Sequence, residues 1–151
     1  MSTLTKLALG MMGQLRPKPA LGTATPSIQL LAPETRGGLP LLDALVQRRS
    51  AREFARTELP PPVLSSLLWA AFGVNRSDGH RTAPTALNGQ EIDIYVALHS
   101  SAYHYDATAN ALKLSAASDV RRVTGYQDFV DRAPLDLAYV LKCSLPSARI
   151  E

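Results

Sequence analysis

Two short segments carry residue types whose spacing suits chemistry. The first is Arg48-Arg49-Ser50-Ala51-Arg52-Glu53-Phe54. Guanidinium groups are planar forks of N–H donors that stay charged, so a cluster of them suits bidentate capture of a phosphate. Ser50 adds a hydroxyl on the same span. Cations at the end of a helix also complement its dipole without holding any ligand, and these residues fit both readings. The second segment is Arg81-Thr82-Ala83-Pro84-Thr85-Ala86-Leu87-Asn88-Gly89-Gln90. Its small residues let backbone amides approach a flat ligand. Asn88 and Gln90 each offer a donor and an acceptor, as the imide edge of a flavin or pyrimidine requires. The same stretch also reads as a turn, since Asn-Gly is a common turn pair.

Other chemistries find less support. His80, His99 and His104 match no zinc spacing, and the single cysteine, Cys143, supplies no thiolate cluster. These histidines read as surface or structural groups, and no metal site is expected. No serine lies in a G-x-S-x-G elbow. The G-x-x-x-x-G-K-[ST] phosphate loop and the G-x-G-x-x-G fingerprint are missing as well. No residue is therefore assigned as catalytic, and any redox step would need a cofactor.

Composition narrows the class. The chain has 151 residues, 46% hydrophobic and 19% charged, which suits one globular domain. No apolar run approaches the ~20 residues of a membrane span. One cysteine excludes an internally disulfide-stapled miniprotein. The net charge of +3 is located rather than spread. Residues 1–33 contain Lys6, Arg16 and Lys18 and no acid, and the remaining basic and acidic residues cancel. A nucleic-acid-binding domain usually presents a net basic face, so no nucleic-acid partner is expected.

The elements that must position these segments follow from apolar spacing. Residues 1–38, rich in Pro, Gly, Ser and Thr, read as a flexible arm or a leader, with order beginning near Leu39. A cytoplasmic location is expected, or a secreted or periplasmic one if residues 1–25 act as a signal. Leu41, Leu42, Leu45 and Val46 recur at helical spacing. A second helix opens at Pro60-Pro61-Pro62, buries Leu64, Leu67, Leu68, Ala71 and Phe72, and stops at Gly73. Residues 91–98 alternate as a strand, and 103–105 with 111–114 form a hairpin. Brief helices are expected at 119–123 and 127–132. The apolar run 135–141 reads as a strand buried on both faces. Helices followed by antiparallel strands give an α+β fold.

In order and spacing these segments resemble the nitroreductase family of FMN-dependent oxidoreductases. Arg48-Arg49-Ser50-x-Arg52-x-Phe54 is similar to that family's R-R/H-S-x-R/K-x-F signature. Residues 83–90, Ala-Pro-Thr-Ala-Leu-Asn-Gly-Gln, are similar to its A-P-S-x-x-N-x-Q segment, with Thr85 in place of serine. Leu67-Leu68-Trp69-Ala70-Ala71-Phe72-Gly73 resembles a helix of the thiazoline and oxazoline peptide oxidase subgroup. The resemblance spans residues 39–141, and residues 39–151 read as the N-terminal portion of a nitroreductase-like domain.

The resemblance implies an FMN site. Arg48, Ser50 and Arg52 would grip the phosphate and ribityl chain, with Arg49 also at the cofactor. Pro84, Thr85 and Ala86 would line the isoalloxazine, Asn88 would bond its polar edge, and Gln90 belongs to the same segment. It further implies a ping-pong cycle in which NAD(P)H reduces FMN and a small-molecule acceptor takes the electrons. The acceptor could be a nitroaromatic, a quinone or a heterocycle. A homodimer with FMN at its interface is implied too. Against the family's pattern the chain reads as truncated at its C-terminus, lacking further helices, a late basic residue and an exchanged strand. The alternative is a non-catalytic flavin- or partner-binding remnant of such an enzyme.

Overall fold

The computed structural model describes residues 26–85 and 88–141. The arm and leader reading of residues 1–25, Ala86 in the second segment and Cys143 lie outside them. The chain runs β1 (Ser27–Gln29), α1 (Leu41–Gln47), α2 (Pro61–Phe72), β2 (Ile92–Ala97), β3 (Ala102–Asp106) and β4 (Ala111–Ala116). It continues through α3 (Arg121–Thr124), a 3-10 turn (Val130–Arg132) and β5 (Asp136–Leu141). The five strands form one sheet in the order β1-β4-β3-β2-β5, with every described pairing antiparallel. The fold is α+β, as expected. Among the described residues no helix is long and apolar enough to cross a membrane.

The core is one sheet face packed on one helix. Pro61 opens α2 where the first-turn amides have no helical partner. From there the inward stripe carries Ser65, Leu68 and Phe72 onto Ile94, Val96, Tyr105 and Leu112. Alternation along β2 sends Ile94 and Val96 inward, with Leu137 of β5 opposite Val96. The buried Ser65 hydroxyl donates to the Leu31 carbonyl, which satisfies a polar group inside the core. Leu67, expected in the stripe, is 37% exposed because the buried face is narrower than the apolar one.

Gly73 ends α2 for a steric reason. Its φ of −72° and ψ of 160° are open to any residue, but a Cβ there would lie 2.4 Å from Trp69 Cδ1. The Trp69 indole N–H donates to the Val74 carbonyl at 3.0 Å just beyond. The hairpin turn between β3 and β4 is closed by Asp106, whose carboxylate accepts from the amides of Thr108 and Ala109 at 3.0 and 2.9 Å.

Three expectations change. Order begins before Leu39, because β1 pairs with β4 and its end is tied to the hairpin turn by Leu30 N–H donating to the Asn110 carbonyl at 3.0 Å. The run expected to be buried on both faces is instead the sheet's edge. Among the described residues β5 pairs with β2 alone, and Tyr139, Val140 and Leu141 are exposed. Apolar continuity records hydrophobicity, and position in the sheet decides cover. Finally, α1 forms as expected but buries none of its residues, with Leu41, Leu42, Leu45 and Val46 all exposed.

If the α2–sheet contact holds the domain, Leu68→Ala should cost ~2–5 kcal/mol. Val63→Ala, on the exposed side of the same helix, should stay within ~0.5 kcal/mol. Urea denaturation of both variants checks the pair, and equal losses would contradict this account of the core.

Candidate functional site

The arginine segment leaves α1 in an extended conformation. Arg48 caps the helix with φ −61° and ψ 122°, and the last helical turn holds no basic residue. Only Arg48 therefore sits where a helix dipole could use it. Arg48, Arg49, Ser50 and Arg52 are all exposed. Among the described residues none of the three guanidiniums has a carboxylate partner. Arg52 is nonetheless placed, since its guanidinium carbon lies 5.7 Å from the centre of the Phe129 ring. The Phe54 ring also lies against it, with centroids 6.2 Å apart. Together these side chains dock the segment on the turn that precedes β5.

Arg52 lines a cleft of about 620 Å³ with Arg56, His99, Arg121, Asp131 and Arg132. Arg121 is a structural cation of this cleft. It is 7% exposed, and its Nε and Nη2 donate to Asp119 at 3.0 and 2.7 Å while Nη1 donates to the Ala133 carbonyl. Hydrogen bonding from Arg121 holds the Asp119 carboxyl down at about 2, below its ordinary 3.8. The neighbouring Asp136, which accepts from the Thr124 hydroxyl at 2.6 Å, shifts upward because burial disfavours its charge.

The second segment is a hydrogen-bonded loop rather than an Asn-Gly turn of the ordinary kind. The left-handed backbone falls on Asn88 (φ 55°) and Gln90 (φ 50°), not on Gly89. Such φ values strain a non-glycine residue by ~1–3 kcal/mol and persist only where neighbours enforce them. Here Thr85 enforces them. Its carbonyl accepts from Asn88 N–H and its hydroxyl from Gln90 N–H, each at 3.2 Å. That hydroxyl explains why threonine can stand for serine at this position. Pro84 and Asn88 are exposed, while Thr85 and Gln90 are half-buried.

Arg81, which opens the segment and has no role assigned from sequence, completes the loop. Its Nε donates to Gln90 Oε1 at 3.0 Å, and its guanidinium carbon sits 5.4 Å from the centre of the Phe72 ring. A sequence signal existed, a lone cation opening the segment, but the loop that returns Gln90 to it could not be read. Gln90 and Arg81 line a second cleft of about 380 Å³ that includes Asp93, His104 and Asp106. The two motif segments thus face different clefts, Arg52 the first and Gln90 the second. Among the described residues no hydrogen bond joins them.

Two of the three histidines have local partners. His80 Nδ1 lies 2.8 Å from Asp78 and His104 Nε2 lies 3.1 Å from Asp93. Among the described residues no group of three His, Cys, Asp or Glu is placed to hold a metal ion.

An α+β sheet domain with an arginine-rich segment after its first helix and an amide-bearing loop before its central strands defines a recognisable class. Residues 45–149 match the profile of the Nitroreductase family, and the chain belongs to that family. A curated relative from Methanocaldococcus jannaschii, provisionally named a nitroreductase, is 40% identical over 58 residues. That match covers 38% of this chain and 29% of the relative. A crystal structure of a protein from Ralstonia eutropha JMP134, likewise provisionally described as a nitroreductase, is similar with a TM-score of 0.73 and 50% identity. The likeness covers 84% of this chain and 61% of that one. The chain therefore spans less than two thirds of either relative.

The Asp119–Arg121 pair predicts an acid limb in the stability curve. A folded pKa below the unfolded value means the contribution is fully present above pH 3.8 and is lost as pH falls toward about 2. Asp119→Asn should lower the neutral-pH denaturation midpoint and flatten its fall over that window. A variant midpoint that tracks the wild type across the window would contradict the pairing.

Proposed function

We propose that this chain binds FMN and serves as an oxidoreductase of the nitroreductase type, taking electrons from NAD(P)H and passing them to a small acceptor. One observation carries the reading. Arg48, Arg49 and Arg52 are exposed cations with no carboxylate partner among the described residues, on a short extended segment. Uncommitted guanidiniums suit a phosphate, and the exposed amide of Asn88 suits the polar edge of a heterocycle. Guanidiniums for an anionic end and an amide for a planar end are the donor types that FMN calls for. The residues present fit FMN on these grounds.

FMN supplies the two-electron redox chemistry, which explains why this chain needs no acid–base dyad of its own. In this reading Arg48, Arg49, Ser50 and Arg52 bind and orient the phosphate and ribityl end. Pro84, Thr85 and Ala86 line the ring, and Asn88 holds its polar edge. Gln90 keeps the loop in the shape that presents Asn88. Nitroaromatics, quinones and heterocycles are the acceptor classes.

Titration with FMN, followed by quenching of flavin fluorescence, tests the binding. Arg48→Ala should weaken it by about tenfold or more, the scale of a lost charge-assisted hydrogen bond. Arg122→Ala, an exposed cation on α3, should leave it near the wild-type value. Equal losses would remove the phosphate assignment. FMN binding without oxidation of NADH or NADPH would instead favour a non-catalytic flavin-binding role.

The exposed apolar face of α1 supports a second copy as its cover in a homodimer, since apolar patches of this kind mark association surfaces. Leu45→Glu should then shift the protein toward monomer in sedimentation experiments. A wild type that is monomeric at high concentration would sink the dimer.

A further inference from the structure

We infer that Arg81 is a positioning residue which, acting through Gln90, fixes Asn88 as a hydrogen-bond donor toward the ligand. The inference rests on the FMN reading only in taking that ligand to be the flavin's polar edge. An amide side chain can present either its oxygen or its NH2, so the residue type alone leaves the polarity open. Arginine closes the question because a guanidinium has donors and no acceptor. Arg81 Nε donates to Gln90 Oε1 at 3.0 Å, so the Gln90 oxygen faces Arg81. Gln90 Nε2 then points the other way, where it donates to the Gly79 carbonyl at 3.2 Å and to Asn88 Oδ1 at 3.1 Å. A carbonyl can only accept. The two ends of the Gln90 amide therefore demand the same orientation.

Asn88 is left with its oxygen turned inward and its Nδ2 without an acceptor among the described residues, on an exposed side chain. The ligand atom it meets must be an acceptor, a carbonyl oxygen or an unprotonated ring nitrogen. An N–H group would be rejected there. A flavin edge carries both kinds of group, so this polarity selects which part of the edge Asn88 holds. The relay is anchored at both ends. Arg81 rests on the ring of Phe72, which is buried in the core. Asn88 and Gln90 are held in left-handed backbone by Thr85.

Gln90→Glu tests the relay by inverting its far end. Glutamate keeps an oxygen for Arg81, gives up the bond to the Gly79 carbonyl and puts its second oxygen toward Asn88. Asn88 must then turn its NH2 inward and its oxygen outward. FMN affinity should fall by about tenfold or more, as a donor is replaced by an acceptor facing an acceptor. Arg81→Lys, which also only donates, should stay within about threefold of wild type, whereas Arg81→Met should lose affinity as Gln90→Glu does. Hydrogen exchange of the side-chain amides, followed by NMR in the free protein, reads the polarity directly. In the wild type the Gln90 NH2 should be protected and the Asn88 NH2 should exchange freely, and Gln90→Glu should protect Asn88.

Wild-type FMN affinity in Gln90→Glu would overturn the inference, and so would a protected Asn88 NH2 in the wild type. Absence of FMN binding by the wild type removes the FMN reading alone. The exchange pattern of the free protein then decides the polarity by itself.

Discussion

The Phe72 ring joins the packed half of the molecule to its polar half. It ends the inward stripe of α2, 7% exposed among Leu68, Ile94 and the other core residues. Against the same ring lies the guanidinium of Arg81. A cation on an aromatic face gains ~0.5–1 kcal/mol at exposed sites and more where water is excluded. The greater consequence is geometric. Core side chains sit close-packed in single rotamers, so a ring held by the core gives the loop at 81–90 a fixed platform. Without it, the Gln90 amide would keep only the Gly79 carbonyl and Asn88 as side-chain partners, and Arg81 would have no fixed position from which to orient it.

How much of this was legible follows from the range of the signals. Local ones served well. Pro60-Pro61-Pro62 and Gly73 bracket α2, alternation marks β2, and the Asp106–Asn110 turn marks the β3–β4 hairpin. The arginine and amide segments were visible because their residue types are unusual at such density. Signals that depend on distant partners were silent. β1 has three exposed residues and so no apolar pattern, and it is held by backbone pairing with residues more than eighty positions away. The stacking of Arg52 and Phe54 on Phe129 joins segments far apart in the chain. Arg81 meets Gln90 across a loop in which two non-glycine residues take left-handed backbone; asparagine at 88 is a type that tolerates it, glutamine at 90 is not.

The misread strand and the correctly read first helix have the same physical cause. α1 carries apolar residues at helical spacing and β5 a nearly continuous apolar run; the first is wholly exposed and the second is exposed over Tyr139–Leu141. A seven-residue helix is marginal in water by itself, and an apolar edge strand is a template for pairing. Hydrophobic pattern reports the surface that some contact must cover and leaves the identity of the partner open. Arg48, Arg49 and Arg52 follow directly on that uncovered helix. Contact along α1 would therefore bring a second surface beside the uncommitted guanidiniums and lower the local dielectric around them. An anion held there would be bound more strongly than the same arginines could bind it in open water.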